Sequence, residues 1–182
     1  MRVRVITILI YALLAAAPAQ ASTWADVFAA AAPAIVRVDA LTDDEQDGGR
    51  CTGAVIRKAT GYVLTAAHCL PIGPASITVN DRPAAVVGYN WILDLALLRT
   101  ELPPDVGEFA LAPAMPPAGT PIAVIGHAFG SHQLAFQAGY VSVPHAADDA
   151  PMAWLNLETI PGDSGGPVLD EAGRLVAIVS GL

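Results

Sequence analysis

Ser164 stands in Gly162-Asp163-Ser164-Gly165-Gly166-Pro167, the stretch of this sequence best suited to covalent chemistry. A serine hydroxyl is a weak nucleophile until a neighbouring base takes its proton. Flanking glycines let the backbone bend sharply, which exposes the hydroxyl and frees backbone N–H groups to face a developing oxyanion. The stretch therefore calls for two further groups, a histidine base and an acid that orients it. His68 lies in Thr65-Ala66-Ala67-His68-Cys69, after Gly61-Tyr62-Val63-Leu64, which reads as a turn and a short buried strand. A strand end is a rigid place from which to aim an imidazole. Asp94 opens the apolar run Asp94-Leu95-Ala96-Leu97-Leu98. A partly buried carboxylate there can accept a hydrogen bond from His68 Nδ1–H, fixing the tautomer and stabilising the imidazolium formed during attack.

Chain order separates the folds that use such a trio. Gly162-Asp163-Ser164-Gly165-Gly166 also satisfies the G-x-S-x-G elbow of α/β-hydrolases, whose acid and histidine follow the serine. Eighteen residues follow Ser164, and none is histidine. An order of acid, histidine, serine would draw on residues such as Asp39, Asp43, Asp44 or Asp47, none of them in a convincing strand-end context. The order left is His68, Asp94, Ser164, with the histidine first and the serine last.

On these three motifs the sequence resembles the trypsin-like (chymotrypsin-fold) serine proteases. That resemblance implies His68 as general base, Asp94 as its orienter and Ser164 as nucleophile. It gives the backbone N–H groups of Gly162 and Ser164 the role of an oxyanion hole. It also implies a disulfide between Cys51 and Cys69, tying the residue after His68 to a neighbouring strand and adding about 3 kcal/mol on the chain-entropy account.

Finer features resemble the HtrA-like branch of that family. They are Trp24-Ala25-Asp26-Val27-Phe28, Pro33-Ala34-Ile35-Val36-Arg37-Val38, Ala123-Val124-Ile125-Gly126-His127-Ala128-Phe129-Gly130, Gly139-Tyr140-Val141-Ser142-Val143 and Thr159-Ile160-Pro161-Gly162. The pattern resembles an HtrA-like protease domain, and no PDZ domain is expected within residues 1–182. In trypsins the aspartate matching Asp163 pairs with an N-terminus released by cleavage. No Arg-Ile-Val-Gly-Gly-like site is present, so activity is expected without that step, or through loop ordering. Ser180 and Gly181 resemble the segment that lines the pocket and pairs with substrate backbone. Glu158, six residues before the serine, falls where trypsins place the acid that selects basic side chains, whereas Thr159-Ile160 points to small aliphatic ones. His127, His132 and His145 are expected on loops or the surface.

The elements that must position these groups are short and β-rich. Residues 24–32 read as a helix ended by Pro33. Apolar or alternating runs follow at 34–40, 51–57, 62–66, 75–79, 84–89, 94–99, 121–126, 133–143, 153–157, 166–170 and 174–180, separated by turn residues. Many short strands punctuated by Gly and Pro indicate an all-β barrel or sandwich. The resemblance implies two six-stranded antiparallel Greek-key β-barrels with a cleft between them and a short N-terminal helix. The first would span about 34–102 and the second about 121–182, joined by a Pro/Gly-rich linker at about 103–120.

Composition bounds compartment and partners. Arg2 and Arg4, the apolar run from Val5 to Ala17 and Ala19-Gln20-Ala21 read as an n-region, h-region and cleavage site of an Ala-rich signal peptide of bacterial type. The mature domain would run 22–182, secreted or periplasmic, where disulfides persist. Formal net charge is −8, and removing Arg2 and Arg4 makes it more acidic still. That disfavours nucleic acid and anionic membrane surfaces as partners. The h-region is short for a span, so no membrane segment is expected after cleavage. Four scattered histidines show no metal-ligand spacing, and the reaction calls for no cofactor. The reading is a serine endopeptidase acting on protein or peptide substrates. An esterase using the same trio, and a non-catalytic binding module on a protease scaffold, stay open as alternatives. The sequence does not specify an oligomeric state.

Overall fold

Each apolar run becomes a strand, and the residues before them become a helix. The computed structural model describes residues 23–42, 48–73, 75–145 and 151–180. The expected signal peptide, the acidic run Asp43-Asp44-Glu45 and the pocket residue Gly181 lie outside them. Helix α1 (Trp24–Ala31) starts on a capping box: Thr23 Oγ1 accepts from Asp26 N–H, and Asp26 Oδ2 accepts from Thr23 N–H. Its Val27 and Ala31 are buried. Pro33 then sits in a single 3₁₀ turn that leads into the first strand.

Six strands close into an antiparallel barrel. They are β1 (Ile35–Thr42), β2 (Gly48–Arg57), β3 (Tyr62–Thr65), β4 (Ala75–Val79), β5 (Arg82–Asn90) and β6 (Leu95–Thr100), in the spatial order β1-β2-β3-β6-β5-β4. Side chains alternate across each strand, so Val36, Val38, Val55, Val63, Val79 and Leu98 all fill the barrel interior. β1 pairs with both β2 and β4, which closes the ring.

The second half is β7 (Pro121–His127), β8 (Leu134–Val143), β9 (Trp154–Asn156), β10 (Pro167–Leu169) and β11 (Leu175–Ile178). Among the described residues these five form a curled sheet in the order β11-β10-β7-β8-β9, where the resemblance implied six strands. β9 and β11 are its edges. The residues between β9 and β10 do not extend the ladder, because Gly162 (φ +100) and Gly165 (φ +79) fold them into turns. Ile122, Val124, Val141 and Val168 make the core of this half.

A third apolar cluster joins the halves. Val27 and Ala31 of α1 meet Ile35, Ala54, Phe109, Ile125, Leu169 and Leu175 there. Burying the Val, Ile, Leu and Phe side chains among them stabilises by about 1.5–3 kcal/mol each. The linker is stitched to both sides: Phe109 N–H donates to Val55 O, Leu175 N–H to Ala110 O, and Ala112 N–H to Leu175 O. The two halves are thus held in one register, with the end of β3 facing the turn that carries Ser164. Among the described residues no helix is long and apolar enough to cross a membrane.

Candidate active site

The histidine side of the site is built by the first barrel. β3 ends at Thr65, and Ala67–Cys69 makes one 3₁₀ turn that carries His68. Asp94 sits at the mouth of β6, behind a turn in which Asn90 Oδ1 accepts from the N–H groups of Ile92 and Leu93. Its backbone is left-handed (φ +48), a conformation aspartate tolerates better than most residues. That bend brings three parts of Asp94 to the histidine turn. Its carbonyl accepts from Ala67 N–H at 3.1 Å. Oδ1 accepts from His68 N–H at 2.8 Å, and Oδ2 lies 2.6 Å from His68 Nδ1. Ser180 Oγ donates to the same Oδ2 at 2.7 Å.

These contacts set the ionisation of Asp94. Burial pushes its carboxyl up, but the bonds from Ser180 and His68, with the His68 charge, outweigh burial and hold it below the usual carboxylate value. A carboxylate so held keeps His68 in the tautomer with hydrogen on Nδ1, leaving the lone pair of Nε2, which lies 3.9 Å from Cys69 Sγ, to act as a base. His68 is exposed to solvent. Cys69 is joined to Cys51 by a disulfide, which fastens the histidine turn to β2. The sulfurs of Cys51 and Cys69 and a His68 nitrogen lie within 4.8 Å of one another, but the disulfide leaves no thiolate to bind a metal.

The serine side is a turn of the second half. Residues 161–164 present four successive carbonyls, and each is met by a donor. Pro161 O accepts from Phe129 N–H (2.6 Å), Gly162 O from Thr52 Oγ1 (2.6 Å), Asp163 O from Gly166 N–H (2.8 Å) and Ser164 O from Thr52 N–H (2.9 Å). In a trans peptide the N–H points opposite to the C=O. Anchoring Pro161 O and Asp163 O therefore turns the N–H groups of Gly162 and Ser164 the other way, and among the described residues neither donates to a backbone carbonyl. The turn requires glycine twice. A Cβ at Gly162 would overlap His127 O, and one at Gly165 would overlap Thr52 O and Thr65 Oγ1. The Gly165 contact also locates Ser164: its neighbour is packed against the end of β3, three residues before His68. No hydrogen bond joins Ser164 Oγ to His68 Nε2 among the described residues; such bonds are often long until a substrate is bound.

Other expected residues fall as follows. Ser180 touches Asp94 directly, a contact the sequence did not reveal. Glu158 is exposed and makes no hydrogen bond or ion pair among the described residues. Asp163 is fully buried; Oδ2 accepts from Ile160 N–H at 2.8 Å and Oδ1 has no partner. Burial pushes its carboxyl up, against that one hydrogen bond. His127, expected on a loop or surface, is instead buried at the end of β7. Its Nδ1 contacts Ser131 O at 2.9 Å and its Nε2 has no partner. Burial lowers its pKa, partly offset by the Ser131 bond. His132 is exposed and packs against the Arg37 guanidinium, which also bridges Asp39 and Asp81. His145 is exposed.

Comparison with known proteins agrees with this fold. Residues 51–178 match the family model described as "Trypsin-like peptidase domain". Over 170 residues the chain is 32% identical to "Serine protease Rv3671c" of Mycobacterium tuberculosis, covering 85% of this chain and 42% of that protein. The chain thus spans under half the length of the curated relatives it matches. The crystal structure of the Rv3671c protease in its inactive form superposes with a TM-score of 0.64 at 26% identity, covering 85% of this chain and 80% of that one. The serine endoprotease from Yersinia pestis shares the fold, with a TM-score of 0.70 at 20% identity, covering 86% of this chain and 57% of that one. With its motifs, its barrel and the match over residues 51–178 all in accord, the chain belongs to the trypsin-like peptidase domain family.

Proposed function

We propose that this protein is an exported serine endopeptidase of the trypsin-like family, with Ser164 as nucleophile, His68 as general base and Asp94 as orienter. The observation that carries the reading is the pairing of His68 Nδ1 with a well-bonded Asp94 carboxylate at 2.6 Å. Ser164 Oγ attacks the carbonyl carbon of a peptide bond while its proton passes to His68 Nε2. The carbonyl oxygen becomes an oxyanion and takes hydrogen bonds from the N–H groups of Gly162 and Ser164. The intermediate collapses, the leaving amine takes the proton from His68, and water repeats the sequence to release the acyl group. Ser180 keeps Asp94 ionised, and with Gly181 supplies the backbone edge for substrate. Glu158 is the candidate selector of substrate side chains. The disulfide and the leader pattern of residues 1–21 support a secreted or periplasmic location.

The test is cleavage of a mixed peptide library by the purified chain, read by mass spectrometry. Internal peptide bonds should be cut, and Ser164→Ala should abolish the cutting. Cleavage of small esters without any peptide bond would instead favour an esterase, and no turnover of either would favour a binding module.

A further inference from the structure

We infer that Thr52 is a positioning residue for the oxyanion turn, acting across the junction between the two halves. The inference rests on the reading of Ser164 and the N–H groups of Gly162 and Ser164 given above.

Thr52 is fully buried in β2, next to Cys51 of the disulfide. Each of its polar groups is used, and each reaches a different part of the site. Its N–H donates to Ser164 O at 2.9 Å. Its hydroxyl donates to Gly162 O at 2.6 Å and accepts from His127 N–H at 2.8 Å. Its carbonyl accepts from Thr65 Oγ1 at 2.8 Å, at the end of the strand leading to His68. One residue of the first barrel therefore touches the nucleophile's backbone, the oxyanion turn, the end of β7 and the base of the histidine turn.

The hydroxyl has a specific consequence. A buried carbonyl left without a donor is costly, so Gly162 O rotates to find one if Thr52 Oγ1 is removed. Gly162 sits at φ +100, in a region a glycine backbone leaves easily. Rotation of the 162–163 peptide changes the torsions of Gly162 and Asp163, and through them shifts the adjoining peptides that carry the N–H groups of Gly162 and Ser164. Donors misaligned with the developing oxyanion lower the rate of the chemical step more than they weaken substrate binding. Serine keeps the same donor and acceptor, whereas valine keeps the shape and removes both.

The experiment compares Thr52→Val and Thr52→Ser with the parent chain on one peptide substrate, alongside a peptidyl trifluoromethyl ketone that forms an oxyanion adduct with the serine. For Thr52→Val we expect kcat to fall about 10- to 100-fold, KM to change less than about threefold, and ketone affinity to fall in step with kcat. Thr52→Ser should stay within about threefold of the parent. Val141→Ala, a core change in the second sheet, controls for lost stability and should leave kcat within about threefold at a temperature where it is folded. If Thr52→Val does not fold, Thr52→Ala and Thr52→Ser are compared at low temperature by the same kcat and ketone readouts. A folded Thr52→Val with parental kcat, a Thr52→Ser as slow as the variant without a hydroxyl, or an equal loss in Val141→Ala overturns the inference. A parent chain that cleaves no peptide and forms no ketone adduct overturns the underlying protease reading instead.

Discussion

The two aspartates that flank the site share a side chain and differ in almost everything else. Asp94 belongs to the closed barrel, and its carboxylate meets His68 N–H, His68 Nδ1 and Ser180 Oγ. Asp163 belongs to the five-stranded half, and its fully buried carboxyl has one donor, Ile160 N–H, with Oδ1 bare. The pKa of Asp94 is lowered despite burial, and that of Asp163 is raised because of it. Burial alone therefore does not decide ionisation; the number of donors supplied to the charged form does. Asp94 takes donors from both halves, His68 and Ser180, whereas around Ser164 the donors, two of them from Thr52 of β2, go to four backbone carbonyls and leave Asp163 with one.

Replacing each acid in turn tests that contrast most severely. Asp94→Asn should lower kcat by about 10⁴-fold, because an amide at this position favours the wrong histidine tautomer. Steady-state hydrolysis with circular dichroism as a fold control checks it, and a loss under tenfold breaks the assignment of Asp94. On the serine side, Gly162→Ala puts a Cβ into His127 O and should cost about 10²–10³ in kcat through a displaced oxyanion donor. A variant with unchanged kcat would show that the Gly162 N–H is not used.

Stability effects are smaller and separate the halves differently. Removing the disulfide as Cys51→Ala with Cys69→Ala should cost about 3 kcal/mol, a fall in Tm of about 6–12 °C for a chain of this size. Calorimetry of oxidised and reduced parent checks the same quantity. The smallest change is at Asp163. Its folded pKa lies above the ordinary 3.8, so the penalty of its buried charge grows as pH rises from 3.8 through the folded value and is absent below 3.8. Asp163→Asn should therefore raise Tm at pH 7, by less than the disulfide contributes, and leave it unchanged near pH 3. Asp94 carries the opposite sign. Its folded pKa is lowered, so its stabilisation is present above 3.8 and is lost as pH falls through the folded value. A Tm gain for Asp163→Asn that is equal at both pH values would break the comparison.

What the sequence made legible follows range. Strands came through because β-periodicity and Gly/Pro punctuation are local: the run at 75–79 is β4, and the run at 62–66 is β3 to within one residue. The sequence singles out His68, Asp94 and Ser164 because each sits in its own short motif. Contacts between distant segments did not. Thr52 Oγ1 meets Gly162 O across 110 residues, and Ser180 Oγ meets Asp94 across 86, so neither pairing leaves a mark in any one window. His127 reads as a polar residue after an apolar strand, yet a left-handed Phe129 (φ +53) turns the following loop back so that Ser131 O covers its ring. The count of strands in the second half was likewise a property of the whole sheet and not of any segment.

The central claim is that Ser164 is a nucleophile activated by His68. A fluorophosphonate probe measures this directly, since it phosphonylates a serine only when a neighbouring base removes its proton. Intact-mass spectrometry of the folded chain should show one adduct, mapped by peptide analysis to Ser164, absent in Ser164→Ala and slowed by several orders of magnitude in His68→Ala. Equal labelling of the parent and Ser164→Ala, or no adduct on the folded parent, would contradict it.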